Sequence, residues 1–202
     1  MKNIKEMIKV NKIQAKFYDS ISASEDVEES TGYSKNKKAN LLTRIWATMR
    51  YRQQIAFTQS NLEEIKSSFH QKWIDKKVGG NFLEIGCFRG TRSSWPLIES
   101  AGNYLGIDLS AKAVEALNVK IIKNGLDSKA KAYSIDLLQF NSDKKHDLIF
   151  AHGVLHHFEN PKPLFNKISE LLKPDGILIL TEPSTVNPLF KFIRSLFRPF
   201  QS

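Results

Sequence analysis

Residues 81–182 alternate between short apolar stretches and helical patterns, and this alternation constrains the fold more than any other feature. Five strand-like runs occur in order, "FLEIG", "YLGID", "AKAYSID", "HDLIFAHG" and "ILILTEP", and helix-like segments or loops separate them. Short strands separated by helices form right-handed βαβ units, which build a parallel sheet with helices on both faces. The sequence therefore predicts an α/β protein with a doubly wound, mostly parallel sheet that has five recognisable strands.

The segments on either side of this alternating region show helical spacing and polar stretches instead of strand-like runs. Residues 1–20 fit a short amphipathic helix, residues 21–38 are polar, and apolar residues recur at helical spacing from 40 to 77. Residues 187–202 again place apolar side chains at helical spacing, with three basic residues between them. We predict a helical N-terminal extension over 1–78, a core over 79–186 and an amphipathic C-terminal helix over 187–202.

The net charge of +9 lies on the flanking segments. Residues 79–186 contain 12 basic and 12 acidic residues, whereas residues 35–54 contain six basic residues and no acidic one. A solvated, lysine-rich helical surface accounts for such a stretch more simply than a phosphate-binding patch does. Nucleic acid is therefore not the expected partner.

Other sequence features narrow the cellular setting. No apolar run reaches the roughly 20 residues that a membrane-spanning helix needs, and the first 20 residues lack the apolar block of a secretory signal. Cys87 is the single cysteine, which excludes an intrachain disulfide and a cysteine-based zinc site. We predict a cytoplasmic protein without a metal centre.

The turn after the first strand, "GCFRG", is a candidate ligand site because glycines let a ligand approach the backbone. Its glycines, Gly86 and Gly90, do not fit the G-x-G-x-x-G pattern of dinucleotide-binding turns, since Phe88 stands where the middle glycine would fall. Glu84 also precedes the turn, and its charge opposes a pyrophosphate but suits an ammonium group. A dinucleotide-dependent oxidoreductase is therefore disfavoured.

From this turn onward the chain resembles the class I S-adenosylmethionine-dependent methyltransferases, in particular the small-molecule enzymes that include the quinone-biosynthesis methyltransferases. Four segments match that family's signatures in order: "FLEIGCFRG", "YLGIDLS", "AYSIDLLQF" and the run from "HDLIFAHG" to "ILILTEP". The resemblance implies a Rossmann-like methyltransferase fold, S-adenosylmethionine as cofactor and a small-molecule methyl acceptor. The strand-four end reads "AHGV" rather than an Asn-Pro-Pro-Tyr type, which favours an oxygen or carbon acceptor over nitrogen.

The resemblance also implies a set of cofactor contacts. Glu84 and the turn residues would embrace the methionine end, Asp108 would accept hydrogen bonds from both ribose hydroxyls, and Asp136 would accept one from the adenine amino group. Leu109 would pack against the adenine, and the Leu137 backbone N–H would face it. The predicted cofactor-binding set is Glu84, Gly86, Cys87, Gly90, Asp108, Leu109, Asp136, Leu137 and His152.

Three histidines at the end of the fourth strand are the candidates for a catalytic base. His152 stands at the carboxyl edge, where ligands bind in open α/β sheets, and His156 and His157 follow in the next turn. Methyl transfer needs alignment and a water-poor pocket, and it needs a base only when the acceptor must lose a proton. One histidine acting as general base and histidines with purely structural partners are alternatives that the sequence leaves open.

The sequence departs from the family pattern at Phe88 and at Asp175 of "LKPDG", where the family usually has glycine. The family fold also has seven strands, but only about twenty residues follow "ILILTEP". We therefore expect a C-terminally truncated sheet, with residues 188–200 covering its edge, forming a lid or contacting a membrane surface. The rival hypothesis is an inactive methyltransferase-like binding partner, or a fragment that another chain completes. The sequence leaves the oligomeric state open.

Overall fold

The computed structural model describes residues 4–22, 59–91, 93–158 and 160–182. Several predictions fall outside these residues: most of the polar stretch at 21–38, the helical pattern at 40–58, and the C-terminal helix at 187–202 with its membrane contact through 188–200. The described elements are five α-helices, two short 3₁₀ turns and five strands.

The helices begin with α1, Ile4–Ser22, and α2, Gln59–Ile74. Three further helices lie between strands, namely α3, Ser94–Ser100, α4, Ala111–Lys123, and α5, Lys162–Leu171. The 3₁₀ turns cover Asp75–Lys77 and Leu155–His157. The start of α4 matches its sequence signal, because the Ser110 side chain accepts a hydrogen bond from the Ala113 N–H and so caps the helix.

The five strands form one parallel sheet. Their bounds are β1, Asn81–Ile85, β2, Asn103–Asp108, β3, Ala130–Ser134, β4, His146–His152, and β5, Leu172–Thr181. The spatial order is β3-β2-β1-β4-β5, and every neighbouring pair runs parallel. The order reverses between β1 and β4, which places a crevice at the carboxyl ends of these strands. This sheet confirms the predicted fold class.

The beginning of β5 differs from the prediction. The sequence places the fifth strand at "ILILTEP", but β5 already begins at Leu172, which pairs with His146. The register then shifts, so that Leu148 pairs with Ile177 and the intervening residues form an irregularity within the strand. Asp175 lies in this irregularity, where its carboxylate is 2.9 Å from the Lys77 ammonium.

Two apolar layers pack against the sheet. Alternation along β1 and β4 sends Phe82 and Phe150 into the layer that contacts α3 and α4, and Leu83 and Ile149 into the layer that contacts α5. These side chains are at most 1% exposed. Both faces of the central strands are therefore buried, which explains why their sequences are nearly continuous apolar runs.

The sheet, α1 and the residues of α2 from Phe69 onward belong to one compact unit of the chain, and residues 59–68 of α2 belong to a second. The division of the chain at 78 and 186 stays a prediction. Among the described helices, none is long and apolar enough to cross a membrane.

His146, at the start of β4, is a buried histidine whose ring nitrogens have no hydrogen-bond partner among the described residues. Burial lowers its pKa from 6.5 to about 4. Because the unfolded chain then binds a proton more readily than the folded chain does, the stability associated with neutral His146 is complete above pH 6.5. That stability is lost progressively as the pH falls from 6.5 to about 4, the pKa of His146 in the folded chain.

We therefore predict that wild-type stability falls by about 3 kcal/mol more than that of His146→Leu between pH 7 and pH 4. Urea denaturation of both proteins at matched pH values measures this difference, and the comparison cancels the titration of all other groups. Parallel pH profiles for the two proteins would contradict the prediction.

Candidate functional site

A pocket of about 170 Å³ lies at the carboxyl ends of β1, β2, β3 and β4. The loops that follow these four strands form its floor and walls, and α1 lies along one side. The lining residues are Asn11, Gln14, Tyr18, Ile85, Gly86, Phe88, Ile107, Asp108, Leu109, Ile135, Asp136, Leu137, His152, Gly153, Val154, His157 and Phe158.

The turn after β1 depends on glycine at Gly86. Gly86 has φ +75°, and a Cβ built there would lie 2.7 Å from Val154 Cγ2. Phe88 also has a positive φ, 45°, which is an uncommon conformation for a residue with a side chain. The turn thus keeps the backbone path of a glycine-rich loop although a phenylalanine replaces its middle glycine.

Asp108, at the end of β2, has both carboxylate oxygens engaged by backbone donors. Oδ1 accepts from the Ser110 N–H at 2.8 Å, and Oδ2 accepts from the Phe88 N–H at 2.9 Å. Burial raises the pKa of this carboxyl, while the backbone donors at Ser110 and Phe88 oppose that rise. Each carboxylate oxygen can accept a second hydrogen bond, so Asp108 can still receive a ligand's hydroxyl groups in the pocket.

Asp136 stands on the loop after β3, opposite α1. Its Oδ1 accepts from the Leu138 N–H at 2.9 Å, and its Oδ2 accepts from Asn11 Nδ2 at 2.9 Å. Leu109 and Leu137 line the pocket near the two acids and supply apolar wall. Six of the nine predicted cofactor residues line this pocket, namely Gly86, Asp108, Leu109, Asp136, Leu137 and His152.

Glu84 occupies a different place from the one that its predicted role suggests. Its side chain is 2% exposed and does not line the pocket. It accepts from Ser94 Oγ at 2.8 Å and from Tyr104 Oη at 2.5 Å. Burial raises the pKa of Glu84 to about 7, although both hydrogen bonds oppose the rise. Its contact with a cofactor stays a prediction.

Cys87 and Gly90 also lie away from the pocket surface. The Cys87 thiol is buried in the apolar layer beneath the turn, and burial raises its pKa. Gly90 has φ +76°, and a Cβ there would lie 2.8 Å from Leu117 Cδ1 of α4. Gly90 therefore permits α4 to pack closely against the turn, and the predicted cofactor contacts of both residues stay untested.

The three candidate histidines separate into distinct environments. His152 ends β4 and lines the pocket, as does His157 in the following 3₁₀ turn. His157 Nε2 lies 3.0 Å from the Tyr18 hydroxyl. The pKa of His157 is lowered, mainly by burial and to a smaller extent by the neighbouring His156. His157 is half-buried, and its lowered pKa therefore favours the neutral ring.

His156 is oriented toward Glu182 rather than toward the pocket. Its Nδ1 lies 2.9 Å from Glu182 Oε2, and Oε1 of the same carboxylate accepts from the Val154 and Leu155 N–H groups at 2.7 and 2.6 Å. Burial of Glu182 acts to raise its pKa, but these hydrogen bonds outweigh it and the pKa is lowered. An ionised Glu182 therefore fixes the 3₁₀ turn that carries His157.

Helix α1 contributes pocket residues that the sequence analysis did not identify. The pocket residues of this helix are Asn11, Gln14 and Tyr18. Together with the buried Met7 they recur at intervals of three or four residues, which places them along one face of the helix. Asp19 Oδ1 docks the end of α1 on α4 by accepting from Ser110 Oγ at 2.6 Å and from the Lys112 N–H at 3.2 Å. The polar members of this face were the available signal, because an amphipathic helix that packs only on a core would carry apolar residues there.

Comparison with known proteins identifies the family. A family model described as a methyltransferase domain matches residues 76–199. The chain belongs to the methyltransferase-domain family. This result confirms the resemblance seen in the sequence.

Several relatives illustrate this membership. A ubiquinone biosynthesis O-methyltransferase of Haemophilus ducreyi is 26% identical over 134 residues, which cover 64% of this chain and 55% of the relative. A malonyl-[acyl-carrier protein] O-methyltransferase of Ilyobacter polytropus is 30% identical over 104 residues, covering 50% of this chain and 38% of the relative. The chain thus spans about half the length or less of these curated relatives.

Solved structures share the fold at low sequence identity. The YcgJ protein of Bacillus subtilis superposes with a TM-score of 0.56 at 18% identity, covering 67% of this chain and 58% of that protein. An S-adenosylmethionine-dependent methyltransferase from Clostridium acetobutylicum gives a TM-score of 0.51 at 20% identity, covering 69% and 56% respectively. These likenesses support the fold assignment alone.

Proposed function

We propose that this chain is a cytoplasmic methyltransferase that binds S-adenosylmethionine and methylates a small-molecule acceptor, at oxygen or carbon rather than nitrogen. The observation that carries the proposal is the meeting of Asp108 and Asp136 in one pocket beside the Gly86 turn. These are the acids that close β2 and β3, where methyltransferases place the acceptors for the ribose and for the adenine amino group. The family membership and the relatives' names support the same reaction.

The residues of the pocket fit this cofactor. Asp108 and Asp136 offer carboxylate oxygens to ribose hydroxyls and to an amino group, all of which are hydrogen-bond donors. Gly86 lines the pocket and carries no side chain, so a ligand can approach its backbone from that side. When bound, S-adenosylmethionine supplies an electrophilic methyl group on a sulfonium.

The protein's own contribution to the reaction is positioning, exclusion of water and control of one proton. Tyr18, Phe88, Val154 and Phe158 supply aromatic and apolar wall, which limits water in the pocket. His157 is held by the turn that Glu182 fixes, and its Nε2 faces the Tyr18 hydroxyl at 3.0 Å. In the tautomer with the proton on Nδ1, Nε2 accepts a hydrogen bond from the Tyr18 hydroxyl. The proton that an oxygen acceptor releases can reach Nε2 through this hydroxyl, which takes the acceptor's proton as it gives its own to the ring.

An oxygen acceptor fits this arrangement best. A phenol or an enol must lose its proton to become a good nucleophile or as it is methylated, and neutral His157 provides a base in the pocket. A carboxylic acid is already ionised near pH 7 and needs only to be positioned. Two kinds of relative, the ubiquinone-biosynthesis and the malonyl-[acyl-carrier protein] enzymes, are named O-methyltransferases. An activated carbon acceptor has the same requirement for a base and is the second choice within this proposal.

Substitution of Asp108 tests the cofactor site. We expect Asp108→Ala to weaken binding of S-adenosylmethionine by about 1–3 kcal/mol, the usual contribution of hydrogen bonds to a charged group. Calorimetric titration of both proteins measures the loss. Asp143→Ala is the matched control, because Asp143 is an exposed aspartate outside the pocket. Equal affinities in the wild type and in Asp108→Ala would contradict the proposed site.

Transfer of an isotope-labelled methyl group tests the reaction itself. Incubation with separate pools of phenols, carboxylic acids, β-dicarbonyl compounds and amines would show which class receives the label. Labelling in the oxygen or carbon pools supports the proposal. Tight cofactor binding with transfer only to protein, nucleic acid or amines would overturn the acceptor class, and binding with no transfer to any class would favour an inactive binding partner.

A further inference from the structure

Asn11 is a buried polar residue at the pocket that neither the sequence motifs nor the proposed reaction uses. Its side chain is 7% exposed on the inner face of α1, and its Nδ2 donates to Asp136 Oδ2 at 2.9 Å. Burying an amide is costly unless its polar atoms are satisfied. A buried amide next to Asp136, the predicted acceptor for the adenine amino group, therefore indicates a role in binding.

The orientation of the Asn11 amide follows from its partner. An ionised carboxylate can only accept hydrogen bonds, so the Asn11 NH₂ group, and not its oxygen, faces Asp136. Asp136 is itself held by the Leu138 N–H on its other oxygen. Within the described residues, the second N–H and the carbonyl oxygen of Asn11 make no further hydrogen bond, although the side chain borders the pocket.

The Asn11–Asp136 pair thus presents a hydrogen-bond donor next to an acceptor. Adenine shows the complementary order along its edge, because its amino group donates and the adjacent ring nitrogens accept. Hypoxanthine shows the opposite order, with an oxygen that accepts and an N1–H that donates. An asparagine amide is well suited to reading an adenine edge for this reason.

We infer that Asn11 is a specificity residue of the cofactor site, which together with Asp136 selects the adenine base over its deaminated form. This inference rests on the proposed function, since it takes Asp136 as the acceptor for the adenine amino group. It assigns α1 a direct part in recognising the cofactor, in addition to covering the pocket.

A binding experiment with two cofactor products tests the inference. S-Adenosylhomocysteine and S-inosylhomocysteine are titrated calorimetrically into the wild type, Asn11→Ala, Asn11→Asp and Asp19→Ala. Asp19→Ala loosens the docking of α1 on α4 without touching the base-reading pair, because Asp19 contacts Ser110 and Lys112. Lys12→Ala, an exposed change one residue from Asn11 on α1, is the matched control.

The wild type is expected to prefer the adenosyl compound, and Asn11→Ala to weaken its binding about tenfold and narrow the preference. Asn11→Asp should lose more affinity for the adenosyl compound, since two carboxylates would then face each other. Asp19→Ala should weaken the binding of both compounds equally and so leave the ratio of their affinities unchanged. Lys12→Ala should bind both compounds as the wild type does. A change in the ratio is the readout that a purely structural role of Asn11 would not produce.

Three results would overturn the inference. Unchanged or tighter binding of the adenosyl compound by Asn11→Ala, while Asp108→Ala still weakens it, would refute the role of Asn11 and leave the proposed function standing. An equal loss for both compounds in Asn11→Ala would reduce Asn11 to a residue that holds α1. Failure of the folded wild type to bind either compound would refute the proposed function and the inference with it.

Discussion

Replacing Gly86 by alanine is expected to weaken binding of S-adenosylhomocysteine at least about tenfold and to destabilise the fold by about 2 kcal/mol. Two independent costs combine at this position. The φ of +75° is unfavourable for a residue with a Cβ, and that Cβ would lie 2.7 Å from Val154 Cγ2. Since both Gly86 and Val154 line the pocket, relief of the overlap must displace pocket wall.

Gly125 supplies a matched control for the backbone cost alone. It has φ +68°, but a Cβ built there meets no atom within 4 Å. Gly125→Ala should therefore cost about 1 kcal/mol of stability and leave ligand binding unchanged. The double variant Gly86→Ala/Val154→Ala should recover part of the lost affinity, because it removes the methyl group that overlaps. Urea denaturation and calorimetry measure both quantities, and equal effects of Gly86→Ala and Gly125→Ala would refute the steric argument.

Much of the fold could be predicted because it depends on local pattern. The central strands are buried on both faces and so read as apolar runs, and the parallel connections between them follow from the helices that separate them. The acids that end β2 and β3 could be placed for the same reason, since the carboxyl ends of neighbouring parallel strands meet at one edge. Asp108 and Asp136 do meet there, in the pocket.

The contribution of α1 could not be predicted, because it depends on contacts between residues far apart in the chain. The Asn11–Asp136 bond joins residues 125 positions apart, and the Tyr18–His157 contact spans 139. The amphipathic pattern predicted a helix over residues 1–20, but it did not show which surface of the protein the helix would contact. The roles of the histidines were undecided for a similar reason, since only the positions of Tyr18 and Glu182 distinguish His157 from His156.

The side-chain direction of Glu84 was available in the sequence, while its contact with the cofactor stays a prediction. Strand residues alternate between the two faces, so Glu84 shares a face with Phe82 and points into the layer of α3 and α4. The pocket lies at the carboxyl ends of the strands, so the Glu84 side chain would have to reach it past the turn that follows β1. The carboxyl is instead satisfied by Ser94 and Tyr104, which makes its protonation a question of stability as well as of function.

Glu84→Gln is expected to remove a pH-dependent loss of about 3 kcal/mol in the free energy of unfolding. Burial raises the pKa of this carboxyl from 4.5 to about 7. The folded chain therefore holds a proton that the unfolded chain releases, so the stability associated with protonated Glu84 is complete below pH 4.5. It is lost as the pH rises toward 7 and stays lost above that value. Glutamine keeps the shape and the neutral state, so the variant's stability should not show this fall.

Urea denaturation from pH 4.5 to pH 8 measures the difference between the two proteins, and identical profiles would refute it. The same pair of proteins tests whether Glu84 balances a positive charge on the cofactor. If an ammonium group ionises Glu84, binding of S-adenosylhomocysteine at pH 6 must release a proton in the wild type and not in Glu84→Gln. Calorimetry in two buffers with different ionisation enthalpies detects that proton. A stability difference without proton release would make Glu84 a structural group that holds Ser94 and Tyr104, and the recognition of the ammonium would then belong to other groups.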